Sequence, residues 1–170
     1  MNLNEWSEDV VDAARRNVGA FRTVNGKRRR IDSSGRLRKG LSYLIYEDDK
    51  GVQIRFTSDV EYAIFVNEGV NGTESAYTTR FSYGSKQPPI EPILQWMKEK
   101  PLRLRDPETN QFVKATEAKK KGVAFAIARN IRKHGIAPTH FMDDAIEERI
   151  EALKEIMGVK IEMILIKKLG

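Results

Sequence analysis

The sequence predicts an α+β fold: an antiparallel sheet of β-hairpins covered by an N-terminal, a central and a long C-terminal helix. Three patterns carry that expectation. Leu3, Trp6, Val10, Ala13 and Ala14 recur at helical spacing, as the buried stripe of a helix does. Leu41, Tyr43 and Ile45, then Val52, Ile54 and Phe56, alternate on either side of a turn at Asp48 to Gly51, as a hairpin with one buried face does. From Met142 through Ile146, Ile150, Leu153, Met157, Ile161 and Ile164 the helical spacing returns. With 170 residues, 40% of them hydrophobic, the chain can build one core, because a chain of this length buries roughly two thirds of its unfolded surface. A single domain over residues 1–170 is expected.

The elements follow in order. The N-terminal helix has acidic residues early and Arg15 and Arg16 late, matched to its dipole. Asn25-Gly26 is the dipeptide of a tight two-residue turn, so residues 22–40 read as a basic hairpin or loop. After the 41–58 hairpin, Ser58 and Glu61 make a capping-box pair. That pair would start a short helix with Tyr62, Phe65 and Val66 on its core face and Gly69 as its stop. Residues 70–89 carry Gly, Ser, Thr and Pro without a period and read as a long loop or a loose hairpin. Pro92 suits the first turn of a helix striped by Ile90, Ile93, Leu94 and Met97 and ended by Pro101. Residues 102–114 read as a second small hairpin. Thr116 can cap a helix striped by Val123, Ile127 and Ile131, with Ala124 and Ala128 permitting close approach and Gly135 as its stop. The last helix, from Thr139, would run about 28 residues, or roughly 42 Å, if unbroken. That exceeds the width of a small globule, so part of its stripe would need a partner outside the chain. After Gly158 the same residues also alternate as a strand would.

Composition excludes several classes of function. Cysteine is absent, which removes disulfides, thiol catalysis and thiolate zinc sites. No signal-peptide pattern opens the chain, and no run approaches the about 20 apolar residues of a membrane helix, so a soluble protein made in a cytoplasm, with no membrane partner, is expected. Asn71-Gly72-Thr73 fits the glycosylation pattern without the secretion signal that would give it meaning. The motifs of phosphate loops, serine hydrolases and zinc proteases do not occur. In "THFMDD", His140, Asp143 and Asp144 fall within one helical turn. Carboxylates are expected there because they complement the positive end of a helix, and the trio lacks the spacing of a metal motif. No catalytic residue, metal or cofactor is expected.

The net charge is +6 with 32% charged residues, so both signs are abundant. Its densest part holds Arg22, Lys27, Arg28, Arg29, Arg30, Arg36, Arg38 and Lys39 against the single Asp32. Charge density alone suffices for contact with phosphates. A solvated loop explains the same residues, and no aromatic is interleaved among them to stack on bases. Both readings stand, and Lys27, Arg28, Arg29, Arg30, Arg36, Arg38 and Lys39 are the candidates for facing DNA or a partner.

Taken in order, "GRLRKGLSYLI", "YAIFVNEGV", "LQWMKEK" and "VAFAIARNIRKHGIAPTHFMDDAI" resemble the tail-component proteins of tailed phages, the gene-product-ten-like family of lambdoid siphophages. The likeness lies in a Gly-x-Leu-Arg turn before the first strand (Gly35, Leu37, Arg38) and a Tyr-Ala then Val-x-x-Gly segment (Tyr62, Ala63, Val66, Glu68, Gly69). It continues in an Ile-Ala-Arg helix before Gly135 and an entry into the last helix at Pro138 and Phe141. These short motifs span most of residues 35–150 and persuade by their order. Thr139-His140, where the family often has Pro directly before Phe, and Lys39-Gly40, where a Ser commonly follows the Arg turn, are departures.

The resemblance implies a non-enzymatic virion protein, assembled in the host cytoplasm. It would be a head-tail joining or tail-completion subunit in a homo-oligomeric ring between connector and tail. Connector or adaptor and tail proteins would be its partners, with nonspecific contact to genomic DNA. A tail terminator is the rival within that class. A small DNA-binding protein using residues 22–39, or more weakly a metal-dependent nuclease on His140, Asp143 and Asp144, are rivals outside it. In a ring, the basic hairpin 22–40 and the loop 70–89 are expected assembly elements, with Glu68, Gly69, Tyr77, Phe81, Tyr83, Ile161 and Ile164 as subunit contacts.

Overall fold

The computed structural model describes residues 1–24, 26–32, 34–99, 103–105 and 108–158. The chain divides into two units, one made of Met1–Gly69 with the chain from Ala137 onward, the other of Val70–Ile136. The α+β class holds: the described residues form seven helices and two antiparallel ribbons.

The first unit is organised by α1 (Leu3–Gly19). Asn2 starts it with a reciprocal cap, its side-chain oxygen accepting from Glu5 N (3.0 Å) while the Glu5 carboxylate accepts from Asn2 N (2.9 Å). Amides that the helix itself cannot pair are thereby satisfied. Trp6, Val10, Val11, Ala14 and Val18 are buried, a wider stripe than the spacing alone marks. The width follows from four neighbours: α1 packs on α2 (Arg36–Gly40), β3 (Leu41–Asp48), α6 (Phe141–Glu147) and α7 (Ile150–Met157).

Between α1 and α2 the chain forms the expected basic hairpin, β1 (Phe21–Val24) paired with β2 (Lys27–Arg30) across a turn where Gly26 takes φ 69°. Asp32 then turns inward. Its amide donates to Val18 O (3.4 Å) and its carboxylate accepts from Gly35 N (2.8 Å), where Gly35 takes φ 81° and α2 begins. Sequence patterning places a loop there, because a five-residue helix is too short to show a period. Its buried residues are Leu37 and Gly40.

The 41–58 hairpin is as expected. β3 pairs with β4 (Gly51–Ser58) along its whole length, from Leu41 opposite Ser58 to Asp48 opposite Gly51. Tyr43, Ile54 and Phe56 pack on the core, with the Phe56 ring 6.1 Å from that of Trp6. Leu44 and Tyr46, on the alternate positions, are exposed.

Two expectations for this unit need correction. The helix after the hairpin, α3 (Ala63–Glu68), begins later than the Ser58–Glu61 box suggests, because Ser58 is still strand and its hydroxyl accepts only from Val60 N (3.3 Å). Its buried residues are Ala63, Ile64 and Asn67, while Tyr62 and Phe65 stand outward at 41% and 38% exposure. The polar Asn67 takes the inner position because every part of it is used there. Its Nδ2 donates to Asp143 (2.9 Å), its Oδ1 accepts from Met142 N (3.0 Å) and its carbonyl accepts from His140 N (3.0 Å). A buried amide so satisfied carries little penalty.

The second correction concerns the long C-terminal helix. α6 ends at Glu147 and a separate α7 (Ile150–Met157) follows. Arg149 N bonds to Ile146 O (3.0 Å), tightening the turn, and the Arg149 carbonyl accepts the Trp6 indole N–H at 2.8 Å while Leu153 N stands at 3.3 Å. The partner that helps set the break is remote in sequence, and "IEERIEA" contains no Gly or Pro to announce it. Both halves still bury the predicted stripe, through Ile146 and Leu153. The helix-or-strand question for residues 159–167 lies outside the described residues.

The second unit opens and closes on one antiparallel pair, Val70 and Ile136, whose amides and carbonyls exchange two hydrogen bonds of 2.8 Å. α4 (Glu91–Glu99) packs on α5 (Glu117–His134), and Met97, Ala124 and Ala128 are buried. Thr116 caps α5 by accepting from Lys119 N (3.3 Å), and Gly135 ends it with φ 68°, both as the sequence predicts. Of the second hairpin, Arg105 opposite Phe112 and a Val113 N to Leu104 O bond (3.0 Å) are present.

Candidate interaction surfaces

The basic arm, β1 with β2, belongs to the first unit and carries Arg22, Lys27, Arg28, Arg29 and Arg30. Arg28 lies over the Phe21 ring, its Cζ 5.4 Å from the centroid, and Phe21 is 63% exposed. In the ribbon Phe21 faces Arg30 and Thr23 faces Arg28, so Phe21 and Arg28 are diagonal neighbours, a geometry long side chains can span. An aromatic is therefore interleaved with the cations after all. Sequence patterning misses Phe21 because it sits one residue ahead of the basic run, and only the cross-strand register brings it to Arg28.

At the root of the arm a shallow cleft of ≈ 450 Å³ is lined by Asp12, Arg15, Arg16, Gly19, Ala20 and Arg38. Arg15 is committed within the fold, donating to Asp12 (2.9 Å) and to Leu41 O (2.9 Å). Arg16 is exposed, with Asp9 at 3.9 Å. Arg38, exposed on α2, reaches α1 so closely that a Cβ on Gly19 would lie 3.3 Å from its Nη1. Arg16 is a second residue that the sequence does not single out, since there it has the place of a helix-dipole charge.

The remaining predicted residues are placed as follows. Lys27, Arg28, Arg29 and Arg30 form β2, and Arg36, Arg38 and Lys39 belong to α2. Glu68 and Gly69 end α3, with Gly69 at φ 77° and ψ 179°, backbone essentially reserved for glycine. Ile161 and Ile164 lie outside the described residues.

Tyr77, Phe81 and Tyr83 belong to the second unit and are half-buried there. Their segment lacks regular structure yet is tightly held. Asn71 is its hub, with its amide donating to Phe81 O (2.8 Å), its carbonyl accepting from Tyr83 N (2.9 Å), its Nδ2 donating to Thr79 O (3.0 Å) and its Oδ1 accepting from Tyr77 N. The same segment closes the C-terminal end of α5. Thr73 N and Glu74 N donate to the carbonyls of Arg132 (2.9 Å) and Lys133 (2.8 Å), and the Tyr77 hydroxyl donates to His134 O (3.1 Å). These carbonyls have no partner within a helix and need one from outside. Burial pushes the Tyr83 hydroxyl above its ordinary pKa.

The acidic trio of "THFMDD" has a structural account. His140 takes a left-handed conformation (φ 50°) before α6, its Nδ1 3.3 Å from Asp143 Oδ2, the oxygen that also accepts from Asn67. Thr139 Oγ1 donates to Val66 O (2.7 Å). These contacts tie the start of α6 to α3. No group of three His, Asp or Glu suited to a metal ion occurs among the described residues, and no helix among them is long and apolar enough to cross a membrane.

Residues 2–69 match the family described as "Bacteriophage HK97-gp10, putative tail-component". The match covers α1 through α3 and ends where the N-terminal part of the first unit ends. It contains the Gly35, Leu37, Arg38 turn and the Tyr62 to Gly69 segment that carry the sequence resemblance, and it stops short of "LQWMKEK" and of the motifs from Val123 to Ile146. No curated protein and no solved structure matches the chain. The description of the matched family is that of a phage tail component.

Proposed function

We propose that this protein is a non-enzymatic virion subunit of a tailed phage, a head-tail joining or tail-completion protein that assembles as a ring between the connector and the tail. The carrying observation is the family match over residues 2–69, which covers α1, its basic arm, the β3–β4 hairpin and α3. A ring subunit needs rigid docking faces more than a reactive centre. Asn67 and Asp143, the polar residues where α3 meets α6, are bonded to each other and serve the fold.

An amber codon early in the gene tests this. Without a suppressor, filled heads and separate tails of normal length are expected to accumulate by electron microscopy, and purified protein is expected to restore infectious particles. Tails of uncontrolled length would assign the protein to tail termination instead. Normal joined particles without the protein would overturn both positions.

A further inference from the structure

Between Phe21 and Ile31 the chain carries Arg22, Lys27, Arg28, Arg29 and Arg30 and no acidic residue. The register sets Arg22 opposite Arg29 in the ribbon. The one acid near it in sequence, Asp32, is 7% exposed and one of its carboxylate oxygens accepts from Gly35 N. The cleft at the root continues the same sign with Arg16 and Arg38, and Arg38 makes no ion pair among the described residues.

We propose that the ribbon Phe21–Arg30 and the Arg16–Arg38 cleft at its root form one phosphate-tracking surface for double-stranded DNA, bound without regard to sequence. The chemistry selects a duplex over a single strand. Single-strand binding draws on open aromatic faces that accept bases, and the aromatic at this surface, Phe21, already holds the Arg28 guanidinium over its ring. A duplex backbone asks only for cations at intervals along its phosphates. An acidic protein segment is the competing occupant. The proposal rests on the virion reading only for identifying the duplex as the genome.

Fluorescence anisotropy of the full-length protein with a short labelled duplex of arbitrary sequence, over a salt series, tests the surface. Removing one cation from a phosphate should flatten the plot of log affinity against log salt by ~0.9. The variant Arg28→Ser/Arg29→Ser/Arg30→Ser should therefore flatten it by nearly three times that amount, and Arg16→Ser/Arg38→Ser by nearly twice, with unrelated duplexes giving the same slopes. Should the triple variant fail to fold by circular dichroism, Arg28→Glu alone must still lower affinity and slope. No binding at the lowest salt, slopes unchanged by the variants, or tighter binding of a single strand would overturn the proposal. Displacement of the duplex by polyglutamate at equal charge, as efficient as by DNA, would give the surface to an acidic protein. Particle yield keeps the two claims apart. If the protein binds no duplex yet joining still requires it, only this inference falls. If it binds duplex yet particles form without it, the joining role falls and this surface stands.

Discussion

The two units are held in different ways. The first is built around large apolar side chains: Trp6, Leu37, Leu41 and Phe141 are each at most 2% exposed and share one cluster with the valines of α1. The second buries smaller or fewer such groups among its described residues, Val70, Met97, Ala124 and Ala128. In their place it has backbone laid on backbone. A Cβ on Gly72 would stand 2.2 Å from Lys133 O, and one on Gly135 would stand 2.1 Å from Val70 O. The contrast teaches that the first unit is sensitive to the removal of volume and the second to its addition.

The largest effect is expected at Trp6. Trp6→Ala removes the centre of the first core and the donor on the Arg149 carbonyl, and should cost about 3–5 kcal/mol in urea denaturation. Trp6→Phe keeps most of the volume and should cost much less. A Trp6→Ala effect under about 1 kcal/mol would equal an ordinary surface substitution and deny the unit its apolar centre.

Next comes Gly135→Ala, which meets both the Val70 carbonyl and a positive φ. The conformation alone costs about 1–3 kcal/mol. Hydrogen exchange should quicken across Val70–Ile136 while the amides of α1 keep their protection. Equal loosening of α1 would show that the units do not differ as described. Gly72→Ala, in the same contact, should act in the same direction.

The smallest effect is a pH dependence confined to the second unit. The hydrogen bond from Lys133 (2.7 Å) holds the Glu74 carboxyl below the usual carboxylate range. A depressed folded-state value means the contribution is present above the ordinary carboxylate pKa and disappears as pH falls through the depressed one. The difference in Tm between wild type and Glu74→Gln should therefore be small near neutrality and vanish in acid. A difference that grows in acid would contradict the sign.

What is legible in the sequence follows the range of the forces involved. Alternation at Leu41–Phe56 and the caps at Thr116 and Gly135 are local signals, and the structure repeats them. The break before Ile150 depends on an indole from α1, and the inward Asn67 depends on partners in α6. A pattern of apolar residues cannot carry such information, because it counts aromatics as core and an amide as surface. The arm is half legible. Its turn and charge lie in the sequence, whereas the Phe21–Arg28 contact needs the register and the Arg38 approach to Gly19 needs the fold of α2.

The double hydrogen bond between Val70 and Ile136 also bears on how such a chain can change over evolutionary time. The second unit leaves and rejoins the rest of the sequence at a single paired rung, so its two ends are already together. A segment with adjoining ends is a cassette. Its length and content can be exchanged without pulling on Gly69 or Ala137, because the entropy of closing a loop grows only slowly with its length. Any chain whose ends meet in one antiparallel pair would fit the same gap.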